Sequence, residues 1–87
     1  MRFRKDPKGY YLIEIKNNKI HAGLFSNKRM LLNEYYESDA ETLYKKIIMN
    51  KGITYPEHAA YLGFELHKAE IAIRLNIKYV QDKKLNF

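Results

Sequence analysis

The chain reads as an α+β fold, a three-stranded antiparallel β-meander followed by two α-helices packed on one face, the second helix long. Three observations predict this. Apolar and polar residues alternate with period two through residues 10–36, interrupted by two turn-forming clusters. A helical period takes over from residue 39. The longest periodic run, Thr54 to Leu75, carries helix signals at both ends.

The elements follow in order. Asp6-Pro7-Lys8-Gly9 is a turn by type: Asp bonds its own backbone, Pro fixes φ, and Gly takes positive φ. Tyr10 to Lys16 is a strand rich in β-formers, with Tyr11, Ile13 and Ile15 on its core face. Asn17-Asn18 tolerates positive φ and makes a tight hairpin turn, and residues 19–25 return with Ile20, Ala22 and Leu24 alternating against His21, Gly23 and Phe25. After a turn at Ser26-Asn27-Lys28-Arg29, residues 30–36 form the third strand. Phe3, flanked by Arg2 and Arg4, is a candidate short edge strand.

The first helix is expected near 39–51. Ser38 and Glu41 have the spacing of a capping box, Ala40, Leu43, Tyr44, Ile47 and Ile48 form the apolar face, and Asn50-Lys51-Gly52 supplies the left-handed residue that ends it. The second helix is expected near 55–75. Thr54 and Glu57 repeat the capping-box spacing, Pro56 sits in the first turn where its missing N–H is harmless, and Asn76 takes the left-handed cap. The tail, 77–87, is expected to be extended against the core and frayed from Lys83 onward.

On a helical wheel Ala59, Leu62, Leu66, Ala69 and Ile73 form the core stripe of the long helix, with Gly63 beside it to permit close approach. A second apolar set, Ala60, Phe64, Ile71 and Leu75, lies well round the cylinder, with His67 at its edge. A helix apolar on two sides in a small chain is either sandwiched within its own fold or bound to another copy. A mixture of the two is expected, with Ala60, Phe64, Ile71 and Leu75 as the interface of a homodimer.

Bulk composition narrows the class of protein. Eighty-seven residues, 46% of them hydrophobic, make one domain, and such a domain removes only about 60–65% of its unfolded surface from water. Cys is absent, which excludes disulfides, thiolate metal sites and a cysteine nucleophile, and points to a reducing, cytoplasmic setting. Charges interrupt every apolar stretch, so neither a signal peptide nor a membrane span is expected. The net charge of +6 invites a nucleic-acid partner, but the basic residues are scattered rather than striped, which ranks that reading third.

Between the two apolar faces of the long helix run His58, Tyr61, Glu65 and Lys68, spaced by three, four and three so that consecutive members are neighbours. Imidazole, phenol, carboxylate and ammonium in a row suit a polar ligand or a proton transfer. The favoured expectation is the plainer one, a surface ion-pair ladder with His58 near the helix start, because no nucleophile or phosphate loop accompanies the stripe. No metal site is expected: His58 and Glu65 stand about 10 Å apart along the axis, and His58 and His67 face different directions. Ser26 lies in a turn and Ser38 in a cap, so no catalytic residue is assigned. Tyr10 and Phe25 could stack bases from the open sheet face, but exposed aromatics on a small sheet more often pack cross-strand or under a helix. No cofactor is implied.

The chain also resembles an uncharacterised small domain, known chiefly from archaea and cyanobacteria, that follows dihydropteroate-synthase-like modules in longer chains. The resemblance rests on Asp6-Pro7 with Gly9-Tyr10, on His58-Ala59-Ala60-Tyr61-Leu62-Gly63, on Glu65-Leu66 with Lys68-Ala69-Glu70, and on Tyr79 with Gln81-Asp82. It implies a setting near pterin or one-carbon metabolism, and it marks His58, Tyr61, Glu65, Lys68, Glu70, Tyr79, Gln81 and Asp82 as ligand or partner contacts. Because the partner module is missing from this chain, a shared role calls for a separate pterin-binding or methyltransferase-like protein, or for a self-assembled dimer. The first expectation is therefore an accessory or interaction domain. The runner-up is a pterin-like small-molecule binder or catalytic subunit.

Overall fold

The computed structural model describes residues 5–82. The expected strand at Phe3 and the fraying from Lys83 lie outside the described residues. Five elements follow one another: β1 (Tyr10–Lys16), β2 (Lys19–Phe25), β3 (Leu31–Glu37), α1 (Ala40–Met49) and α2 (Pro56–Leu75). The strands form an antiparallel sheet in the order β1-β2-β3, so the α+β meander with two following helices is the observed fold.

Local chemistry explains each reversal. Gly9 takes φ 117° while its N–H donates to the Asp6 carbonyl at 3.0 Å, and a Cβ there would fall 1.9 Å from the Phe25 carbonyl oxygen. Asn17 and Asn18 both have positive φ, 52° and 59°, the geometry of a type I′ hairpin turn, which fixes Glu14 opposite His21. At the next turn Arg29 takes the left-handed conformation, and the Ser26 hydroxyl accepts from the Lys28 and Met30 N–H groups. A register shift between Leu24 and Phe25 displaces β3, which starts one residue later than its alternation suggests.

Side chains from the helix-facing side of the sheet, among them Tyr11, Ile13, Ile20, Ala22, Leu24 and Tyr35, meet Leu43 and Ile47 of α1 and Leu62, Leu66 and Ala69 of α2 in one core. Gly63 lets the Tyr44 ring approach: a Cβ would stand 3.3 Å from it. On the opposite side of the sheet the Tyr10 and Phe25 rings stack across the strands at 5.6 Å. His21 is buried there, with Nδ1 3.1 Å from Glu14, Nε2 3.0 Å from Glu34 and its ring against Tyr36.

Both helix starts differ from the capping boxes expected. Asp39, not Ser38, caps α1, accepting from the Thr42 N–H at 2.9 Å. The Ala40 N–H donates to Glu70 of α2 instead of leaving that end to Glu41. α2 starts after Tyr55 with no capping side chain of its own, and the Thr54 and Tyr55 N–H groups donate to Asp6. In both cases a carboxylate distant in sequence serves the amides that a local cap was expected to serve. The ends fit expectation better. Lys51 supplies the left-handed residue after α1, and Asn76, at φ 53°, caps α2 while the Ile77 N–H reaches back to the Ala72 carbonyl.

The core stripe of α2 is broader than the apolar spacing indicates, because His58 and Glu65 are buried beside Leu62 and Leu66. The far side is open: Phe64 is 55% and Leu75 64% exposed, so the described residues do not sandwich this helix. No helix among the described residues is long and apolar enough to cross a membrane.

Candidate functional site

The eight polar residues singled out from sequence do not form one cluster. Six of them fall into three arrangements, each tying α2 to another part of the chain, while Gln81 bonds β1 and Tyr61 packs against the core.

The first joins His58 to Asp6. The Asp6 carboxylate is 3% exposed and accepts from the backbone N–H of Lys8 at 2.9 Å, of Thr54 at 2.9 Å and of Tyr55 at 3.0 Å. His58 Nδ1 stands 3.3 Å from Asp6 Oδ2, and the Tyr55 ring meets the imidazole edge-on. Burial acts to raise the Asp6 pKa, but the three backbone donors and the neighbouring His58 outweigh it and hold the carboxyl below its ordinary value. A carboxylate orienting an imidazole through Nδ1 is the geometry of a general base and its positioning partner. The cavity beside it, lined by Asp6, Tyr11, Ile53, His58 and Leu62, has about 10 Å³, the space of one water. That space does not admit an organic substrate.

The second arrangement gathers Glu65, Lys68, Tyr79 and Asp82. Glu65 has no exposed surface; its Oε1 accepts from the Tyr79 hydroxyl at 2.8 Å and from the Asp82 N–H at 3.3 Å, and Lys68 Nζ lies 3.2 Å from Oε2. Burial first, and then the Glu65 hydrogen bond and charge, push the Tyr79 phenol pKa up. The Lys68 ammonium sits 5.3 Å from the Phe64 ring centroid and 6.0 Å from that of Tyr79. Beside them Gln81 behaves like a short strand. Its Oε1 accepts from the Ile13 N–H at 2.8 Å and its Nε2 donates to the Tyr11 carbonyl at 2.7 Å, so one side chain satisfies two backbone groups on the outer edge of β1.

Glu70 makes the third. Oε1 accepts from the Ala40 N–H at 2.6 Å and Oε2 pairs with Arg74 at 2.6 Å, which puts an anion at the start of α1. Tyr61 is partly buried against the core.

The stripe is therefore not the surface ladder expected. Only the Glu65–Lys68 pair survives from it, and that pair is half-buried. The reason lies outside the helix: Tyr79 to Asp82 covers Glu65 and Asp6 covers His58, at positions that a wheel places at the edge of the core. Sequence reasoning treated Asp6 as a turn residue and missed its larger role, which no local signal announces. It also missed the Glu14–His21–Glu34 group, of which the Glu14–His21 half follows from the two-residue turn at Asn17-Asn18. Among the described residues no group of three His, Asp or Glu side chains is placed to hold a metal ion.

The accessible surface of α2 includes a set of large apolar side chains beside the exposed His67 and Arg74. Phe64, Ile71 and Leu75 carry exposed surface, which Ile77 and Val80 continue past the helix end. Two open recesses indent this side, one of about 320 Å³ over Ala60, Tyr61 and Phe64 and one of about 280 Å³ between Lys68, Ile71, Ala72 and the 77–80 segment.

The model of one protein family, PterinBD-DUF4346, matches residues 5–82. An uncharacterised protein of Methanocaldococcus jannaschii is 38% identical over 76 residues, a match that covers 85% of this chain and 14% of that relative. The chain thus spans about a seventh of the curated relative it matches. No solved structure matches.

Proposed function

The chain belongs to the PterinBD-DUF4346 family, and from that premise we propose that it is an accessory domain in a pterin or one-carbon setting, docking through the outer face of α2 onto a second copy of itself. One observation carries this reading. His58, Glu65 and Glu70 of α2 are directed inward, to Asp6, to the tail and to the start of α1, whereas the large apolar side chains Phe64, Ile71 and Leu75 face solvent, with His67 and Arg74 exposed among them. An exposed apolar stripe on a helix whose His58, Glu65 and Glu70 are engaged internally marks an interaction surface more than a reaction centre.

The family setting supports the pterin connection, and the small share of the archaeal relative that this domain matches supports an accessory role. A pterin-like ligand held by Tyr79 and Glu65 would have to displace the hydrogen bond those two groups make with each other.

The test is solution mass by light scattering, with Phe64→Asp beside the parent. A dimeric parent and a folded, monomeric Phe64→Asp variant are expected. A parent that is monomeric alone but binds a pterin-binding protein through the same face would replace the second copy with that partner. A Phe64→Asp variant that remains dimeric would remove α2 from the interface.

A further inference from the structure

We propose that His21 is a proton-operated cross-link on the side of the sheet that faces away from the helices: as the imidazolium it ties β1, β2 and β3 together, and as the neutral ring it keeps β3 and lets go of β1. The arrangement begins with the meander. The Asn17-Asn18 turn sets Glu14 opposite His21, and the register of β2 on β3 sets Tyr36 opposite His21 and Glu34 opposite Gly23. One imidazole thus stands between a carboxylate on each neighbouring strand, Nδ1 3.1 Å from Glu14 Oε1 and Nε2 3.0 Å from Glu34 Oε1.

A carboxylate only accepts, so each contact is a hydrogen bond only when the ring nitrogen facing it carries a proton. Both bonds hold at once only in the imidazolium. The surroundings suit that form: the ring is buried between the two carboxylates, and the Tyr36 ring lies against it with centroids 4.5 Å apart. From β1 the group also meets Lys16, whose Nζ stands 3.0 Å from the same Glu14 Oε1, with Lys19 across the hairpin end from it. From β3 it meets Glu34 and Tyr36, and the helices pack on the other side of the sheet.

Lys16 decides which bond is lost. When the ring keeps one proton, Glu14 still has the Lys16 ammonium on the same oxygen, whereas Glu34 has no other ion pair among the described residues. The proton on Nδ1 is the one given up to solvent, and Nε2 keeps its bond to Glu34. Strand β3 depends on that bond more, because Tyr35 is the one buried residue of its seven. Among the described residues no other ion pair joins two strands, so pH sets whether β1 shares the tie.

The test is a pH titration of the full chain followed by long-range ¹H–¹⁵N NMR, which separates a protonated ring nitrogen from one bearing a lone pair, with His21 assigned through its backbone. Between about pH 5 and pH 9 the His21 signals should pass from both nitrogens protonated to Nε2 alone protonated. Urea denaturation gives a second readout. Glu14→Gln keeps the side-chain shape and can donate to a bare Nδ1, so the tie to β1 no longer depends on the ring proton. The folded-to-unfolded ratio of the parent relative to this variant should fall by about threefold as pH rises through the same range, because the parent's bond is present while the ring is protonated and lost as it titrates. A lone pair on either nitrogen at the acid end overturns the cross-link, and so does a ratio that stays constant. A neutral ring that keeps its proton on Nδ1 overturns the release of β1.

Discussion

The Tyr79 hydroxyl donates to the Glu65 carboxylate at 2.8 Å, tying a tail outside any helix or strand to a side chain with no exposed surface. Tyr79→Phe removes one donor from a buried carboxylate and should destabilise the fold by about 1–2 kcal/mol, measured by urea denaturation. The same bond has an alkaline signature. Because the folded-state phenol is raised above the ordinary value of about 10, its contribution is complete below that pH and is lost as pH rises toward the folded-state value. The parent should therefore lose stability above about pH 10 more steeply than Tyr79→Phe. Equal slopes would show that the hydroxyl is not engaged in solution.

Asp6 governs the acid side. Its carboxyl is held below the ordinary value of about 3.9, so its contribution is complete above that pH and disappears as pH falls through the lower folded-state value. Asp6→Ala should cost about 3 kcal/mol at neutral pH by leaving the Thr54 and Tyr55 amides and His58 without their acceptor. Between pH 5 and pH 2 the parent should lose this advantage and converge toward the variant. A constant gap across that range would mean that the carboxylate charge contributes nothing to the contact.

Gly52 meets a different constraint. The Tyr11 hydroxyl donates to its carbonyl at 3.0 Å, and a Cβ on Gly52 would lie 2.3 Å from that hydroxyl oxygen. Gly52→Ala should cost about 1–3 kcal/mol, and the cost should shrink when Tyr11→Phe is introduced with it. Additive effects of the two substitutions would contradict the contact.

The parts of the fold that were legible in sequence are those whose causes are local. Asn17-Asn18 fixes the hairpin register, Asp6-Pro7-Lys8-Gly9 builds its turn from its own atoms, and Asn76 caps α2 with its own backbone. The residues of the candidate site were legible as a set, but their roles were not. His58 and Glu65 occupy the flank of an apolar stripe, and a wheel cannot show that Asp6 and Tyr79, far away in sequence, cover that flank and bury it. The helix starts were misread for the same reason: Glu70 reaches Ala40 across thirty positions and Asp6 reaches Thr54 across forty-eight. The outer apolar face needed only spacing within one helix, and Phe64 and Leu75 are indeed exposed on it.

The most direct test of the docking role is the solution mass of the parent chain across a concentration series, read by multi-angle light scattering beside Phe64→Asp. The account predicts a mass that rises to that of the dimer for the parent and stays at that of the monomer for a variant with unchanged circular dichroism. A parent that keeps the monomer mass at the highest concentration would contradict it.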